Sequence, residues 1–298
     1  MSVLFNIVTA IIILTLAPLC IGIIKKLKAY MQNRRGFTVL QPYFDLWKLL
    51  HKSEVISRRT TALFRIAPYI YFMAIFTAAS LLPLLLYYVN RIEIFLLVGL
   101  LAAARIALVL AAFDAGSSFA GIGAERELFF SILFEPALLV ILFAKIYTSG
   151  TALSTIAALQ IQTPLNLQSL LAAIAFFMLT VAESGRIPVD NPDTHLELTM
   201  VHEAMLLEYS GKRLALITWA AQMKQVIYVV IFAQIFIPWQ LWHNMSVFSY
   251  WGVLLLKILF MLVALAVTET MTNKMRVFRV PGFMLVAIAL AIFSIFIQ

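Results

Sequence analysis

Residues 93–113 read EIFLLVGLLAAARIALVLAAF, an apolar run in which Arg105 is the one charge after the first residue. A helix of about 20 residues crosses the roughly 30 Å hydrocarbon core of a bilayer. In lipid, a helix satisfies the backbone polar groups within the segment itself. The stretch therefore predicts a transmembrane helix that carries a buried arginine.

Other stretches of the 298-residue chain repeat this pattern. The chain is 63% hydrophobic and 12% charged, whereas a soluble domain is about half apolar and a quarter charged. Strand-like alternation, which a membrane barrel would need, is absent. We predict an all-α, polytopic membrane protein of about eight transmembrane helices, forming one membrane domain over 1–298. The remaining spans are placed at 3–24, 66–88, 127–148, 168–184 (a short one), 214–238, 248–270 and 280–297.

Basic residues are concentrated in alternate connections between these spans. Seventeen Lys and Arg residues fall in one set of connections, and only Arg91 falls in the other. Cytoplasmic loops carry such an excess of Lys and Arg. The pattern predicts cytoplasmic connections and places both termini on the non-cytoplasmic side, so the net charge of +8 reflects topology and not nucleic-acid binding. The predicted cytoplasmic loops are 25–65, 114–126, 185–213 and 271–279.

Segment 38–52 predicts an amphipathic helix with Pro42 in its first turn. Asp45 and two lysines point away from an apolar stripe. Two interpretations remain open: the helix lies in the headgroup plane, or it docks against the bundle of the protein itself. The stripe comprises Tyr43, Leu46, Trp47 and Leu50.

Ionisable residues at membrane depth are costly and are functional hypotheses by default. Glu135 follows Glu127 by eight residues, which places both near one helix face. Pro136 should break the helix beside Glu135 and let water in. Lys145, near the outer surface, is interpreted as a side chain that snorkels to water. Further intramembrane charges are counter-ion or relay candidates: Arg105, Glu183, Lys224, Lys257 and Glu269.

The connection after the fifth span is the densest polar region. Thr194 and Glu197 fit a capping box, so we predict a helix that carries His195 and His202 on one face and ends at Gly211. Its His and Glu spacing does not match the helical zinc motif. The single cysteine of the chain rules out a disulfide within the chain or a cysteine-based cluster. We predict no metal site in this chain.

Four cytoplasmic stretches carry a family resemblance. They are the residues RRG at 34–36 followed by LQP at 40–42, DAGSSFAGIGAEREL at 114–128, ESGRIPVD at 183–190, and EYSG at 208–211. In order and spacing they resemble the complex I subunit 1 family. Within it they are most similar to the membrane subunits of formate hydrogenlyase and hydrogenase-4. The resemblance covers nearly the whole chain.

The resemblance implies a non-catalytic coupling subunit of a complex I-like or nickel–iron hydrogenase-type complex in a bacterial or archaeal inner membrane. Partners would be peripheral redox subunits, which hold the iron–sulfur and nickel–iron centres, and antiporter-like membrane subunits. The resemblance implies a proton path that includes Glu127, Glu135, Glu183 and Asp190. We add Glu197, Glu203 and Glu208 as further candidates for this path. The implied arm-docking or quinone region comprises Arg34, Arg35, Asp45, Arg126, Arg186, His195, His202 and Tyr209.

Two positions depart from the family pattern. His195 stands where an acid is usual, and Phe37 stands where a proline is usual. Because of these departures, the sequence does not decide whether the chain contacts a quinone. Two other functions also remain: a free-standing ion or solute transporter, which buried charges would suit, and an assembly scaffold whose buried charges only pair with each other.

Overall fold

The structure, a computed structural model, describes residues 2–57, 60–82, 84, 94–149, 166–190, 201–237 and 247–297, and within these it forms helices joined by turns. Seven of the helices are long and apolar enough to cross a membrane, and the helix Leu167–Glu183 is a shorter apolar one. The predicted all-α, multi-pass architecture is confirmed, with seven candidate spans among the described residues where about eight were predicted. The predicted fifth span, at 168–184, is the shorter helix. The helices are α1 (Ser2–Met31), α2 (Gln41–His51), α3 (Ala62–Ser80), α4 (Ile94–Asp114), α5 (Ser118–Ser149), α6 (Leu167–Glu183), α7 (His202–Leu206), α8 (Gly211–Ile235), α9 (Val247–Met271) and, after a 3₁₀ turn at Val277–Arg279, α10 (Val280–Phe296).

Polar contacts hold together, at one end of the bundle, the connections that carry most of the Lys and Arg residues. Asp114, the last residue of α4, accepts hydrogen bonds from the backbone of Thr61 and Phe64 at the start of α3, at 2.8 and 3.2 Å. Arg213 at the start of α8 pairs with Glu54 at 3.0 Å. We call this the charged end. Its connections are those predicted to be cytoplasmic.

The predicted loop 114–126 needs correction, because α5 begins at Ser118 and the connection is only three residues long. Gly123 explains the early start: a Cβ there would lie 2.9 Å from both the Val201 carbonyl oxygen and the Ala204 Cβ. The glycine thus lets α5 pack directly against α7. The predicted helix break at Pro136 is also wrong, since α5 runs through it to Ser149.

The predicted helix from Thr194 to Gly211 is wrong at its end. Within the described residues the helical part is the short α7, and Gly211 begins α8. Gly211 has φ +57°, and a Cβ there would lie 2.8 Å from the Lys52 carbonyl oxygen. Only glycine tolerates this combination of left-handed backbone and close approach. Thr194, His195 and Glu197 lie outside the described residues.

Helix α2 docks against the bundle, as one of the two interpretations of its amphipathic pattern predicts. Leu46 is buried against the bundle, and the Tyr43 hydroxyl donates to the Thr15 carbonyl of α1. Trp47 is 65% exposed, so the predicted stripe is wrong at this residue. Adjacent helical residues differ by about 100° in direction, which turns Trp47 and Phe44 outward while Leu46 packs inward.

Candidate functional site: a buried ion-pair cluster beneath a polar cavity

Arg105 in α4 is the centre of a buried ionic cluster. It is 5% exposed, and its Nη2 donates to both carboxylate oxygens of Glu183 at 2.6 Å. Its Nε lies 3.3 Å from Glu127 and its Nη1 lies 3.6 Å from Glu135. A charge inside a bundle persists when it is paired. Arg105 therefore joins α4 to both α5 and α6.

The two carboxylates of α5 face the same guanidinium, as their spacing predicts. The Phe134 ring centre lies 5.8 Å from the Arg105 Cζ and completes the wall around it. Glu127 is nearly buried, whereas the side chain of Glu135 keeps 34% of its exposure. Glu135 therefore marks the edge of the cluster that opens to the outside of the bundle.

Lys224 in α8 adds the second cation. Its Nζ lies 2.7 Å from Glu183 Oε2, so Glu183, the last residue of α6, holds Arg105 and Lys224 together. The cluster contains three carboxylates and two cations. It carries a formal charge of −1 when all five groups are ionised.

A cavity of about 480 Å³ leads from the charged end to this cluster. Glu127, Glu183 and Lys224 lie at its deep end, where Tyr71 of α3 also borders it. Other polar residues of its wall belong to the connections and to α1, α7 and α8. They include Lys25, Arg186, Asp190, His202, Glu203, Gln222 and Gln225.

Three side chains of this wall have a buried polar atom without a hydrogen-bond partner among the described residues: His202 Nε2, Gln222 Oε1 and Gln225 Nε2. Buried polar groups are almost always satisfied by protein or by water. A cavity of this size and polarity has room for several waters. These atoms are therefore placed to hydrogen-bond water inside the cavity.

A second set of ion pairs holds the segment that forms the cavity rim. Arg186 lies 3.3 Å from Glu269 of α9 and donates to Gln225 at 3.1 Å. Lys28 of α1 contacts the same Glu269 at 2.8 Å. Lys274 binds Asp190 at 2.6 Å. The segment 184–190 is thereby fixed between α1, α8 and α9.

The structure brings six predicted site residues to the cavity and leaves others away from it. Those at the cavity are Glu127, Glu183, Asp190, Arg186, His202 and Glu203. Glu135 joins them through Arg105. The exposed surface of the charged end holds Arg34, Arg35 and Asp45, and Arg126 is half-exposed there. Glu208 and Tyr209 do not border the cavity. His195 and Glu197 lie outside the described residues.

Tyr209 has a packing role in this structure. Its ring stacks on Phe64 at 4.0 Å between centres, and its hydroxyl donates to the Phe64 carbonyl at 3.0 Å. Burial raises the pKa of the Tyr209 phenol well above its usual range, so the hydroxyl remains a donor. This contact fastens the start of α8 to α3.

The sequence interpretation left Tyr71, Lys25, Gln222 and Gln225 out of the site. Gln222 and Gln225 are one helical turn apart in an otherwise apolar span, a spacing that puts them on one face. That signal was available before the structure. Among the described residues, no group of three or more His, Cys, Asp or Glu is arranged to hold a metal ion.

Comparison with known proteins gives one consistent family. Residues 4–298 match the family model described as NADH dehydrogenase. The chain is 33% identical over 277 residues to hydrogenase-4 component C of Escherichia coli (strain K12), covering 90% of this chain and 86% of that protein. It is 33% identical over 261 residues to formate hydrogenlyase subunit 4 of the same organism, with coverages of 86% and 83%.

A solved structure shares the fold. It comes from the membrane-bound sulfane sulfur reductase, described as an archaeal respiratory membrane complex. The TM-score is 0.84 at 22% identity, and the match covers 98% of this chain and 99% of that chain. The helical arrangement is therefore one that a respiratory membrane complex contains.

Proposed function

Because the chain belongs to the NADH dehydrogenase family, the complex I subunit 1 family indicated by its motifs, we propose that it couples a peripheral redox arm to proton movement in the membrane. It would be the membrane-anchoring subunit of a hydrogenase-type or complex I-like complex. The observation that carries this proposal is the polar cavity that connects the charged end to the Arg105 cluster.

The charge balance of the cluster suits proton transfer. Three carboxylates share two cations, so one added proton leaves the group neutral. Burying a neutral group costs far less than burying a net charge. A proton arriving through the cavity would therefore be held by one of the three carboxyl groups, and it could pass between them around the fixed charge of Arg105.

The order of the ionisable residues, from the cavity to Glu135, gives the proposed proton transfer a direction. Glu203, Asp190 and His202 border the cavity with Glu127 and Glu183, and Arg105 links these two to Glu135. Glu135 opens on a groove between α4 and α5 whose floor includes Gly99 and Ala102. A carboxylate at membrane depth needs a polar neighbour. We propose that an antiporter-like membrane subunit covers this groove and receives the proton.

The peripheral arm would dock at the charged end. Arg34 and Arg35 are exposed there, and guanidinium groups bind carboxylates of a partner well. Iron–sulfur and nickel–iron centres would belong to that arm, and this subunit would contribute no redox centre. The charged end would face the cytoplasm and both termini the opposite side of a bacterial or archaeal inner membrane.

The cavity also supports a second candidate role, as the site of a quinone headgroup. Tyr71 and His202 border it beside the rings of Phe130 and Phe134. Phenol and imidazole groups can donate to a quinone carbonyl, and the rings supply apolar walls. Photolabelling of the purified complex with an azido-quinone tests this role. Label on peptides of α3, α5 or α7 supports it, and label confined to other subunits contradicts it.

Affinity purification of the tagged chain in mild detergent, followed by mass spectrometry, tests the subunit role. Recovery with iron–sulfur, hydrogenase-like and antiporter-like subunits is expected. Recovery of the chain alone, stable and monodisperse, would contradict it and favour a free-standing transporter.

The double variant Arg34→Glu with Arg35→Glu should lose the peripheral subunits and keep the membrane subunits. The double variant Arg276→Glu with Arg279→Glu, exposed in another connection of the charged end, shows whether the loss is specific to the 34–35 segment.

A further inference from the structure

Lys145 does not snorkel to the surface as its position near the end of α5 predicted. It is only 2% exposed and ranks among the largest fully buried side chains of the described residues. Its Nζ lies 5.9 Å from the centre of the Phe236 ring, just past the end of α8. A lysine enclosed in this way at a membrane depth requires a functional explanation.

A second lysine reaches the same place from another helix. Lys257 of α9 donates from Nζ to the Ile237 carbonyl oxygen at 2.8 Å. Carbonyls at the C-terminus of a helix carry partial negative charge and attract cations. The end of α8 therefore gathers two amine-bearing side chains at the end of the bundle opposite the charged end.

An aromatic cluster separates these lysines from the Arg105 cluster. Phe176, fully buried in α6, stacks on Phe236 with ring centres 4.8 Å apart and lies 6.2 Å from both Phe232 and Tyr228. Phe232 and Phe236 are 5.7 Å apart. Rings packed this closely exclude water.

Tyr228 stands on the cluster side of this aromatic barrier. It follows Lys224 by one helical turn on α8, is fully buried, and its hydroxyl lies beside the Glu183 carboxylate. Tyr228 therefore extends the polar surface of the Arg105 cluster up to the aromatic rings. Polar groups thus meet the aromatic cluster on both of its sides.

We propose that Lys145 and Lys257 form the outer half of a proton outlet within this subunit, and that Phe176, Phe232 and Phe236 are its gate. The inference rests on the proposed function, because the Arg105 cluster would supply the proton. It adds an outlet to the non-cytoplasmic side that differs from transfer to a partner at Glu135. Hydrophobic constrictions of this kind gate by admitting or excluding water.

The proton transfers balance in each step. When water enters between the rings, a carboxyl group of the Arg105 cluster releases a proton along that water to the neutral amine of Lys145. The ammonium then passes one proton through intervening water to the amine of Lys257, which is only half-buried and releases it to water at the non-cytoplasmic surface, and both amines are neutral again. Lysine can perform this cycle, whereas arginine stays charged in proteins.

The variant Lys145→Arg separates this role from a structural one. Arginine keeps a long, donor-bearing side chain at the end of α8 but does not give up its proton, so a merely structural lysine would be rescued. In the purified complex reconstituted in liposomes, we expect Lys145→Arg to assemble and to release fewer protons per electron than the wild type. Lys26→Arg, an exposed lysine of α1, is the control. Proton release at the wild-type ratio to electrons in Lys145→Arg would overturn the proposal.

The gate can be tested without changing a lysine. Phe176→Leu removes the ring and keeps most of the volume, and resting proteoliposomes should then leak protons. Absence of a leak would overturn the gate.

Glu183→Gln distinguishes failure of the proposed outlet from failure of the proposed function. If Glu183→Gln stops translocation while Lys145→Arg and Phe176→Leu behave as wild type, only the outlet fails; if Glu183→Gln also translocates normally, the proposed function fails.

Discussion

One guanidinium nitrogen of Arg105 donates to both carboxylate oxygens of Glu183 at 2.6 Å, joining the middle of α4 to the last residue of α6. The pair is buried, and the remaining atoms of the guanidinium group face Glu127 and Glu135. Arg105 therefore neutralises a group of carboxylates contributed by two other helices, and the bundle depends on it for both charge balance and helix contacts.

Replacing Arg105 with methionine should destabilise the protein severely. The change leaves three carboxylates with Lys224 as their one remaining cation, and breaking a buried pair costs about 3–5 kcal/mol. Thermal unfolding of the purified complex should show a clear fall in midpoint. Arg34→Met, which removes an exposed arginine, is the control. Equal midpoints for the two variants would contradict the role of Arg105.

Glu135→Gln should stop or uncouple turnover without loss of assembly. The side chain is partly exposed and lies 3.6 Å from Arg105, so an amide fits the site but cannot carry a proton. Electron transfer and proton translocation by the purified complex provide the measurement. Glu125→Gln, an exposed position on the same helix, should behave as wild type. Wild-type translocation in Glu135→Gln would remove this residue from the path.

Gly211→Ala should destabilise the chain by more than about 1 kcal/mol, because φ is positive and the new Cβ would meet the Lys52 carbonyl oxygen. Gly252→Ala is the matched control, since a Cβ there meets nothing within 4 Å. Thermal unfolding of both variants gives the comparison. If Gly211→Ala is as stable as Gly252→Ala, the close approach of the Lys52 carbonyl oxygen to the start of α8 is wrong.

Single-cysteine labelling tests the orientation in the membrane. In a Cys20→Ser background, Phe278→Cys lies exposed at the charged end and Tyr147→Cys lies exposed near the end of α5. A membrane-impermeant thiol reagent added to intact cells should label Tyr147→Cys and spare Phe278→Cys. The reverse pattern would place the charged end outside the cell.

Hydropathy predicted the all-α, multi-pass architecture, and seven of the eight predicted spans, all but the short fifth, are helices long enough to cross a membrane. Apolar runs such as 93–113 fix the helices because lipid offers the backbone no other partner. The spacing of Glu127 and Glu135 also predicted their common face. Boundaries were less predictable: α5 starts at Ser118 because Gly123 permits contact with α7, a tertiary contact that hydropathy does not contain.

The partners of the buried charges could not be read from the sequence. Arg105, Glu183 and Lys224 were each recognised as intramembrane charges, but no local pattern says which helices face each other. The burial of Lys145 was missed for the same reason. Its distance from the helix end predicted a route to the surface, whereas packing against the end of α8 encloses it.

Proton translocation by the Glu183→Gln complex tests the central claim most directly. The variant leaves Arg105 and Lys224 opposite Glu127 and Glu135, so the charges still balance and assembly should persist. The purified complex in liposomes, with Glu125→Gln as the control, should then transfer no protons across the membrane during turnover. An assembled Glu183→Gln complex that translocates protons at the wild-type ratio to electrons would contradict the account.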